Sequence, residues 1–413
     1  MHKGIAFACT LPHRWNTVVT PAARTQAAID LLDAITAAAR DGGAAADVLI
    51  ARYFSTRRYA GSKDRRAVRE LVYDAIRLIG ERPPSGRAAM IALSKTRPEL
   101  VAAFDGSPYG PAAIDPGEAP ARPGLAPAWL RGALSKSGID DIQLAALLER
   151  APLDIRVNTL MGTRDDAAAM FEGAEPIALA PDGLRLAADT PVERSPAAEG
   201  GLVEVQDAGS QLVTRVAAAE PGMTVIDLCA GGGGKTLALA AAMKNDGRIV
   251  ATDTDRTRLQ RLPPRAERAG VSIVETRLLD PNEEAAALTD LKGAADVVLI
   301  DAPCSGTGTW RRNPEARWRL TASRLDRLTL TQSRLLEIGA TLVKPGGTLT
   351  YIVCSLLDAE GADQIASFAK RHKGWQVDDV AAMGGSAHGA GLRLTPANDG
   401  TDGFFVARLR APC

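Results

Sequence analysis

Cysteine and histidine are scarce in this sequence, and neither residue type is clustered. The 413 residues include five cysteines and four histidines, the cysteines lie far apart, and no CxxC pair occurs. Disulfide frameworks and structural zinc sites both need closely grouped ligands or evenly paired cysteines. We therefore expect no disulfide framework and no metal site, and we expect the protein to work in the reducing cytoplasm.

Long apolar runs and an excess of charge of one sign are also missing. No segment approaches the ~20 apolar residues that a membrane-spanning helix requires. The 49 basic residues balance the 49 acidic ones, so a nucleic-acid partner would have to be bound by local basic patches. Residues 1–20 begin with a basic stretch and contain only a short apolar patch, which favours an N-terminal extension over a signal peptide. We expect a monomer without a membrane partner.

What the sequence does contain is the pattern of a folded chain with several domains. Hydrophobic residues make up 46% of the chain and charged residues 24%, as in globular proteins. From Pro21 onward apolar residues recur at helical spacing, until a Pro/Gly-rich stretch at 106–127 interrupts the pattern. We predict an all-α domain at 21–120 and, at 121–203, a linker with a small α+β connecting module.

From about Val205 onward, short β-rich segments alternate with helical ones. The segments TVIDL, RIVATD, SIVET, DVVLID and TLTYIVCS have the composition of buried strands, and GFFVARL adds a last strand. This alternation predicts an α/β fold with a parallel, doubly wound sheet over residues 204–413. Ligands of such sheets bind beyond the carboxyl ends of the strands.

A glycine-rich loop follows the first of these strands. In TVIDLCAGGGGKT the strand ends in an acid, and Gly231 to Gly234 lead into a helix. Glycines let the backbone approach a ligand closely, and amides at a helix N-terminus favour negatively charged groups. The spacing matches neither the phosphate-binding P-loop nor the GxGxxG fingerprint. The loop predicts a nucleotide-like ligand, with a tight strand–helix turn as the alternative.

Acidic residues follow three further strands. Asp253 ends the second strand, Asp280 lies beyond the third, and Asp301 ends the fourth. An acid at the end of the second strand commonly binds ribose hydroxyls, but Asp253 or Asp255 could instead cap the next helix. Asp280 alone could be a loop acid. Because successive strand ends meet at one edge of the sheet, we expect the three acids and the glycine loop to converge.

Two cysteines also lie at strand ends. Cys304 follows the fourth strand and Cys354 the fifth, and each is followed by a serine. A single cysteine is often a small buried hydrophobic residue, but two at neighbouring strand ends favour chemistry, because an activated thiolate is a strong nucleophile. Cys229, inside the glycine turn, is better explained by packing.

Several motifs together resemble a known family. In chain order they are DLCAGGGGKT, DAPCSGTG, RRNPEARW, KPGGTLTYIVCS and DGFFVARL, and they resemble the Sun-type RNA cytosine-5 methyltransferases. The connecting module contributes IRVNTL and EVQDAGSQLV. The segment ARYFSTRRYAGSKDRRAVRELVYDAIR resembles the NusB-like RNA-binding domain of the bacterial RsmB-like branch. The resemblance covers residues 21 to 410.

This resemblance implies a fold, a cofactor and a set of site residues. The implied fold is a Rossmann-like S-adenosylmethionine-dependent methyltransferase domain, preceded by an all-α NusB-like domain and an RRM-like module. Asp253 would bind the cofactor's ribose, Asp280 would lie by its adenine, and Asp301 would close the pocket beside the target base. The loop that would cradle the cofactor comprises Cys229, Ala230, Gly231, Gly232, Gly233, Gly234 and Lys235.

The resemblance also implies a reaction with two thiols. Cys354 matches the family nucleophile, which attacks C6 of cytosine so that C5 can accept a methyl group, and Cys304 matches the cysteine that assists release. Lys235 would help to activate the thiol or orient the base, and Asp301 would hold the ring at N3. The expected substrate is small-subunit ribosomal RNA. The alternatives are a tRNA cytosine-5 methyltransferase and a non-catalytic RNA-binding assembly factor.

The sequence also contains two basic segments and two departures from the family pattern. Arginines at 311, 312 and 317, interleaved with Trp310 and Trp318, could contact RNA or form a solvated surface. The basic turn at 57–66 has the same two interpretations. Gly232 stands where the family usually has proline, and Val353 stands where it usually has threonine, which puts the rate of the reaction in question more than its identity.

Overall fold

The computed structural model describes residues 19–413, so most of the predicted extension at 1–20 lies outside the described residues. The chain forms two compact units, one ending at Pro123 and the other comprising Gly124–Cys413. None of the helices described in 19–413 is long and apolar enough to cross a membrane.

The first unit is helical. Thr20 caps the first helix by accepting a hydrogen bond from the amide of Ala23, and Gly42 ends that helix in a left-handed conformation. The predicted N-terminal helical domain is therefore confirmed, whereas its NusB-like character remains a prediction. Its elements are α1 (Pro21–Asp41), α2 (Ala46–Ser55), α3 (Ser62–Leu78), α4 (Gly86–Thr96) and a 3₁₀ helix at Pro98–Ala103.

The second unit begins with two helices and a small antiparallel sheet. Its strands have the order β2-β3-β1-β4. Ile155, Val157 and Leu184 are buried between this sheet and its helices. The elements are α5 (Ala128–Lys136), α6 (Asp141–Ala146), β1 (Leu153–Val157), α7 (Arg164–Ala168), β2 (Glu175–Ile177), β3 (Ala180–Leu186), α8 (Pro196–Glu199) and β4 (Val203–Val205).

A larger sheet fills the rest of the second unit. The elements as far as the fifth parallel strand are α9 (Ala208–Arg215), β5 (Thr224–Asp227), α10 (Gly234–Ala242), β6 (Arg248–Asp253), α11 (Arg256–Leu259), α12 (Leu262–Arg268), β7 (Val274–Leu278), α13 (Glu284–Ala287), β8 (Ala295–Asp301), α14 (Ala316–Arg319), α15 (Ala322–Leu342) and β9 (Val343–Val353). The remaining elements are a 3₁₀ helix at Asp358–Glu360, α16 (Ala362–Arg371), β10 (Gln376–Val377), β11 (Ser386–His388), β12 (Gly391–Leu394), α17 (Pro396–Asp399) and β13 (Phe404–Arg410).

The topology of this sheet confirms the predicted α/β fold class. Strands β9, β8, β5, β6 and β7 are parallel neighbours in that order, with buried apolar residues on both faces. The sheet is mixed rather than purely parallel, because β13 pairs antiparallel with β9 and extends the sheet through β12 and β11. An antiparallel edge on a parallel sheet is common in doubly wound folds.

Candidate active site

Two central strands of the larger sheet open a cavity. The chain passes from β5 to β6 on one side, whereas β8 lies on the other side of β5. This reversal of strand order creates a crevice beyond the carboxyl ends of β5 and β8. A cavity of about 310 Å³ lies at this place, and its lining includes Asp207, Asp227, Cys229, Gly232, Gly234, Lys235, Arg258, Asp301, Asp402 and Phe404.

The glycine loop forms one wall of this cavity. Gly233 has a φ of +87°, so a side chain there would be strained, and it would also collide with Leu262. The amide of Gly231 donates a hydrogen bond to Asp253 Oδ2 at 2.7 Å, which ties the loop to the end of β6. Of the predicted loop residues, Gly231 and Gly233 shape the turn, whereas Cys229, Ala230, Gly232, Gly234 and Lys235 line the cavity.

The predicted acids have different surroundings. Asp253 is buried and accepts hydrogen bonds from the amides of Gly231 and Asp255, each at 2.7 Å. The cap of α11 is Asp255, so the capping interpretation of Asp253 is wrong. Asp280 is exposed and is not among the residues that line the cavity, whereas Asp301 is one of them.

A fourth acid, Asp227, lies on the floor of the cavity and was not among the predicted site residues. It is fully buried and accepts a hydrogen bond from Thr236 Oγ1 at 2.7 Å through Oδ2. Its Oδ1 has no partner within residues 19–413. Burial raises the pKa of Asp227 from 3.8 to about 7. An acid at the end of an apolar strand, directly before the glycine loop, was the signal that could have identified it.

Lys235 and Asp301 form an ion pair in the cavity. Lys235 Nζ lies 2.6 Å from Asp301 Oδ2, and the lysine side chain is only 12% exposed. Burial alone would lower the pKa of Lys235, but the charge and hydrogen bond of Asp301, with smaller contributions from Cys354 and Asp227, raise it overall. The lysine is therefore held as an ammonium group, and Cys354 lies close enough to interact with its charge.

The two predicted cysteines meet at the edge of the sheet. Cys304 Sγ and Cys354 Sγ are 3.3 Å apart, within hydrogen-bonding distance of each other. The hydrogen bond with Cys354, burial and the charges of Cys354 and Glu360 raise the pKa of Cys304 well above its ordinary value. No group of three or more His, Cys, Asp or Glu side chains in residues 19–413 could hold a metal ion.

Cys229 differs from these two cysteines. It packs against the apolar cluster beneath the sheet, as predicted. Burial and the neighbouring carboxylates of Asp227, Asp253 and Asp301 raise its pKa well above the ordinary value. Its thiol is therefore held in the protonated form, which suits packing better than nucleophilic attack.

The loops that carry Cys304 and Cys354 are joined by close backbone contacts. The amide of Gly308 donates to the carbonyl of Cys354 at 3.0 Å, and the amide of Gly403 donates to the carbonyl of Gly308 at 2.8 Å. A side chain at Gly308 would collide with the backbone of Gly403, so glycine is required there. The motifs DAPCSGTG, YIVCS and DGFF thus meet at the Cys354 backbone.

A buried carboxylate that the sequence did not reveal also joins these loops. Glu360 is completely buried and accepts hydrogen bonds from Ser305 and Ser355, the residues that directly follow the two cysteines. Nothing in the surrounding sequence LLDAEGAD distinguishes this acid from a surface residue.

Most of the arginine-rich segment after Cys304 is buried, so the interpretations as an RNA-contacting or a solvated surface are wrong for Arg311 and Arg317, whereas the Arg312 side chain is 32% exposed. Trp310, Arg311, Arg317 and Trp318 have between 0% and 6% of their surface exposed. Arg311 and Arg312 bind the buried carboxylate of Asp402, and Arg312 also reaches Asp207. Burial is the main cause that raises the pKa of Asp207 to about 6. The segment thus forms an ion-pair network with two acids that line the cavity.

Comparison with known proteins identifies the family to which this site belongs. Residues 215–410 match the family of 16S rRNA methyltransferases RsmB/F. The Ribosomal RNA small subunit methyltransferase B of Xylella fastidiosa (strain 9a5c) is 34% identical over 296 residues, which are 68% of this chain and 68% of that protein. The chain belongs to the RsmB/F methyltransferase family. This confirms the family inferred from the motifs.

Other members of the RsmB/F family and a solved structure extend the comparison. The Ribosomal RNA small subunit methyltransferase B of Enterobacter sp. (strain 638) is 34% identical over 69% of this chain and 66% of its own length. The chain thus spans a little under two thirds of that relative and of several others. The crystal structure of PH0851 is similar with a TM-score of 0.73 at 25% identity, over 93% of this chain and 98% of PH0851.

Proposed function

We propose that this chain is an S-adenosylmethionine-dependent RNA methyltransferase that methylates C5 of a cytosine in small-subunit ribosomal RNA. The observation that carries the proposal is the pair of thiols 3.3 Å apart beside the Lys235–Asp301 ion pair. Cytosine C5 methylation through a covalent adduct requires one nucleophilic thiol, and a second thiol beside it can assist release of the product. Membership of the RsmB/F family and the names of the relatives support the substrate class.

The cavity fits the cofactor. The orphaned, buried Oδ1 of Asp227 is an acceptor that suits an ammonium donor of the ligand, and Gly232 and Gly234 leave the cavity wall open to close approach. The residues that would hold the cofactor are the loop Cys229–Lys235 and Asp227, Asp253, Asp280 and Asp301. When bound, S-adenosylmethionine supplies an activated methyl group at its sulfonium centre.

Cys354 is the proposed nucleophile. Its thiolate donates an electron pair to C6 of the base, a carbon–sulfur bond forms, and the π electrons of the ring shift so that C5 becomes enamine-like. The ammonium group of Lys235 stabilises the negative charge on the sulfur before the attack and on the ring after it. Asp301 fixes Lys235 in place, and its second carboxylate oxygen is able to accept a hydrogen bond from the base.

Cys304 is the proposed release residue. Because its thiol is held protonated, it is a poor competitor for attack at C6 and can donate a hydrogen bond to a neighbouring sulfur. Transfer of the C5 proton to water acting as the base restores the C5–C6 double bond and breaks the bond between C6 and sulfur, and Cys304, at 3.3 Å, is placed to donate its thiol hydrogen bond to the departing Cys354 thiolate. The two cysteines would therefore serve the beginning and the end of one reaction.

The target cytosine has to be unpaired and unstacked to reach this cavity, because a base stacked within a helix cannot present C6 to a thiolate. We expect the protein to bind RNA as its partner and to act in the cytoplasm. The rival functions are methylation of tRNA by the same chemistry and RNA binding without catalysis.

The experiment is bisulfite sequencing of total RNA from a deletion strain complemented with the wild-type gene or with Cys354→Ala. In the deletion strain we expect one cytosine of small-subunit rRNA to lose its protection from deamination by bisulfite. Only the wild-type gene should restore that protection. Loss of protection at a tRNA cytosine instead would favour the alternative function, methylation of tRNA. Equal restoration by Cys354→Ala would contradict the proposed catalysis.

A further inference from the structure

Glu360 is a buried carboxylate without a cationic partner. It is 0% exposed, and its carboxylate partners within residues 19–413 are serine and glutamine donors and not a lysine, arginine or histidine. By contrast Glu284, which is also buried in this unit, is paired with Arg334. Burial of an unpaired charge is unfavourable, so such groups are retained where neighbouring donors or a function favour the charge.

The donors around Glu360 explain how the charge is held. Oε1 accepts from the amide of Ser305 at 2.8 Å and from Gln332 Nε2 at 3.0 Å. Oε2 accepts from Ser355 Oγ at 2.6 Å and from the hydroxyl of Ser305. These four hydrogen bonds supply the carboxylate oxygens with donors in place of a cation.

These hydrogen bonds place the negative charge beside the thiol pair. Two of the four come from Ser305, which is covalently bonded to Cys304, and the charge of Glu360 contributes to raising the pKa of Cys304. One further hydrogen bond comes from Ser355, which is covalently bonded to Cys354, and the ammonium group of Lys235 interacts with Cys354. The thiol pair therefore has an anion that interacts with Cys304 and a cation that interacts with Cys354.

The other charged and titratable groups around Glu360 do not reverse this order. Tyr351, on β9, donates its hydroxyl to the Glu360 carbonyl at 2.7 Å, and burial followed by neighbouring negative charge raises its pKa well above the ordinary value, so it stays neutral. Asp358, in the same 3₁₀ helix, is paired with Arg393 and His388. Of these groups, Glu360 is therefore the negatively charged one without a cationic partner.

We propose that Glu360 is a positioning residue that keeps the shared proton on Cys304 and leaves the negative charge on Cys354. A proton shared between two sulfur atoms has two arrangements, and the surrounding charges decide between them. Glu360 disfavours charge on Cys304 and also fixes both cysteine loops through their serines. This inference deepens the proposed function, because it explains which of two adjacent thiols attacks.

The test is alkylation of the full-length, RNA-free protein with iodoacetamide over a range of pH. Both cysteine side chains are partly exposed, and the initial rate at each is followed by peptide mass spectrometry. In the wild-type protein we expect Cys354 to react at lower pH than Cys304. In Glu360→Gln, which keeps a similar shape without the charge, the midpoint for Cys304 should fall by about one pH unit.

Two further variants separate charge from shape. Glu360→Asp keeps the charge and should keep the order of the two cysteines, and Glu284→Gln, which alters a distant buried carboxylate, should behave like the wild-type protein. An unchanged Cys304 midpoint in Glu360→Gln would overturn the proposal. If Glu360→Gln does not fold, as judged by circular dichroism, the wild-type protein still provides the test. Alkylation of Cys304 at lower pH than Cys354 in the wild-type protein would overturn the proposal.

No RNA or cofactor is present in this experiment, so its outcome is independent of the proposed methylation. Loss of the cysteine order with normal rRNA methylation would reject the role of Glu360 alone. A preserved order in a protein that methylates no RNA would reject the proposed function alone.

Discussion

Cys304 and Cys354 occupy equivalent places in the sequence but different electrostatic surroundings. Each follows a parallel strand and precedes a serine, and β8 and β9 are hydrogen-bonded neighbours. Cys354 lies near the ammonium group of Lys235, whereas Cys304 lies near the carboxylate of Glu360. The comparison teaches that the strand ends bring two thiols together, and that buried charges then give them different surroundings, on which the proposed division of roles depends.

The largest expected effect on methyl transfer comes from removing the Cys354 thiol, which interacts with the ammonium group of Lys235. Cys354→Ala should lower methyl transfer by at least roughly 10³-fold, because no other group replaces the nucleophile. Binding of S-adenosylmethionine, measured by calorimetry, should persist, since the glycine loop is intact. Cys413→Ala is the matched control, because that cysteine is exposed at the C-terminus. Substantial activity of Cys354→Ala would show that the two thiols are assigned wrongly.

A smaller effect is expected when the cation itself is removed. Lys235→Met keeps the aliphatic stem but leaves Asp301 without its partner, and methyl transfer should fall by about 10²-fold. Initial rates with methyl-labelled cofactor, at saturating RNA, measure this change. If the rate stays within twofold of the wild-type value, the charge of Lys235 does not distinguish the two thiols.

Asp227 provides a test on the floor of the same cavity. Because burial raises its folded-state pKa from 3.8 to about 7, the folded protein takes up a proton between these values. The stability contributed by Asp227 therefore falls as pH rises from about 4 to about 7 and is constant above that range. Asp227→Asn should remove this dependence, a difference on the order of a few kcal/mol between the two ends.

Urea unfolding of the wild-type protein and of Asp227→Asn at both ends of that pH range measures the difference. Equal changes in stability with pH for the two proteins would show that Asp227 is ionised in the folded state, and the electrostatic account of the cavity would then need revision.

The alternating strands and helices made the position of the site predictable. The glycine loop, Asp301, Cys304 and Cys354 all lie at carboxyl ends of β5, β8 and β9, where a doubly wound sheet gathers its functional groups. The role of each residue in this set stays a prediction, as does that of Asp280, which is exposed and is not among the residues that line the cavity.

Other parts of the site depend on contacts that no local pattern encodes. Arg311 resembles a surface arginine in the sequence, but its partner is Asp402, which lies 91 residues further along the chain. Glu360 is polar within a short loop and becomes buried only when β8, β9 and α15 surround it. Period and composition report which face of an element is apolar, but they do not report which distant charge will be buried against it.

The most direct test of the account compares the covalent RNA adducts of two variants. Cys304→Ala and Cys354→Ala are incubated with unmethylated small-subunit rRNA and S-adenosylmethionine, and protein–RNA adducts are resolved on a denaturing gel. We predict that Cys304→Ala accumulates a slowly migrating adduct, because attack by Cys354 is retained while release is slowed, and that Cys354→Ala forms none. An adduct with Cys354→Ala, or no adduct with either variant, would contradict the division of roles between the two thiols.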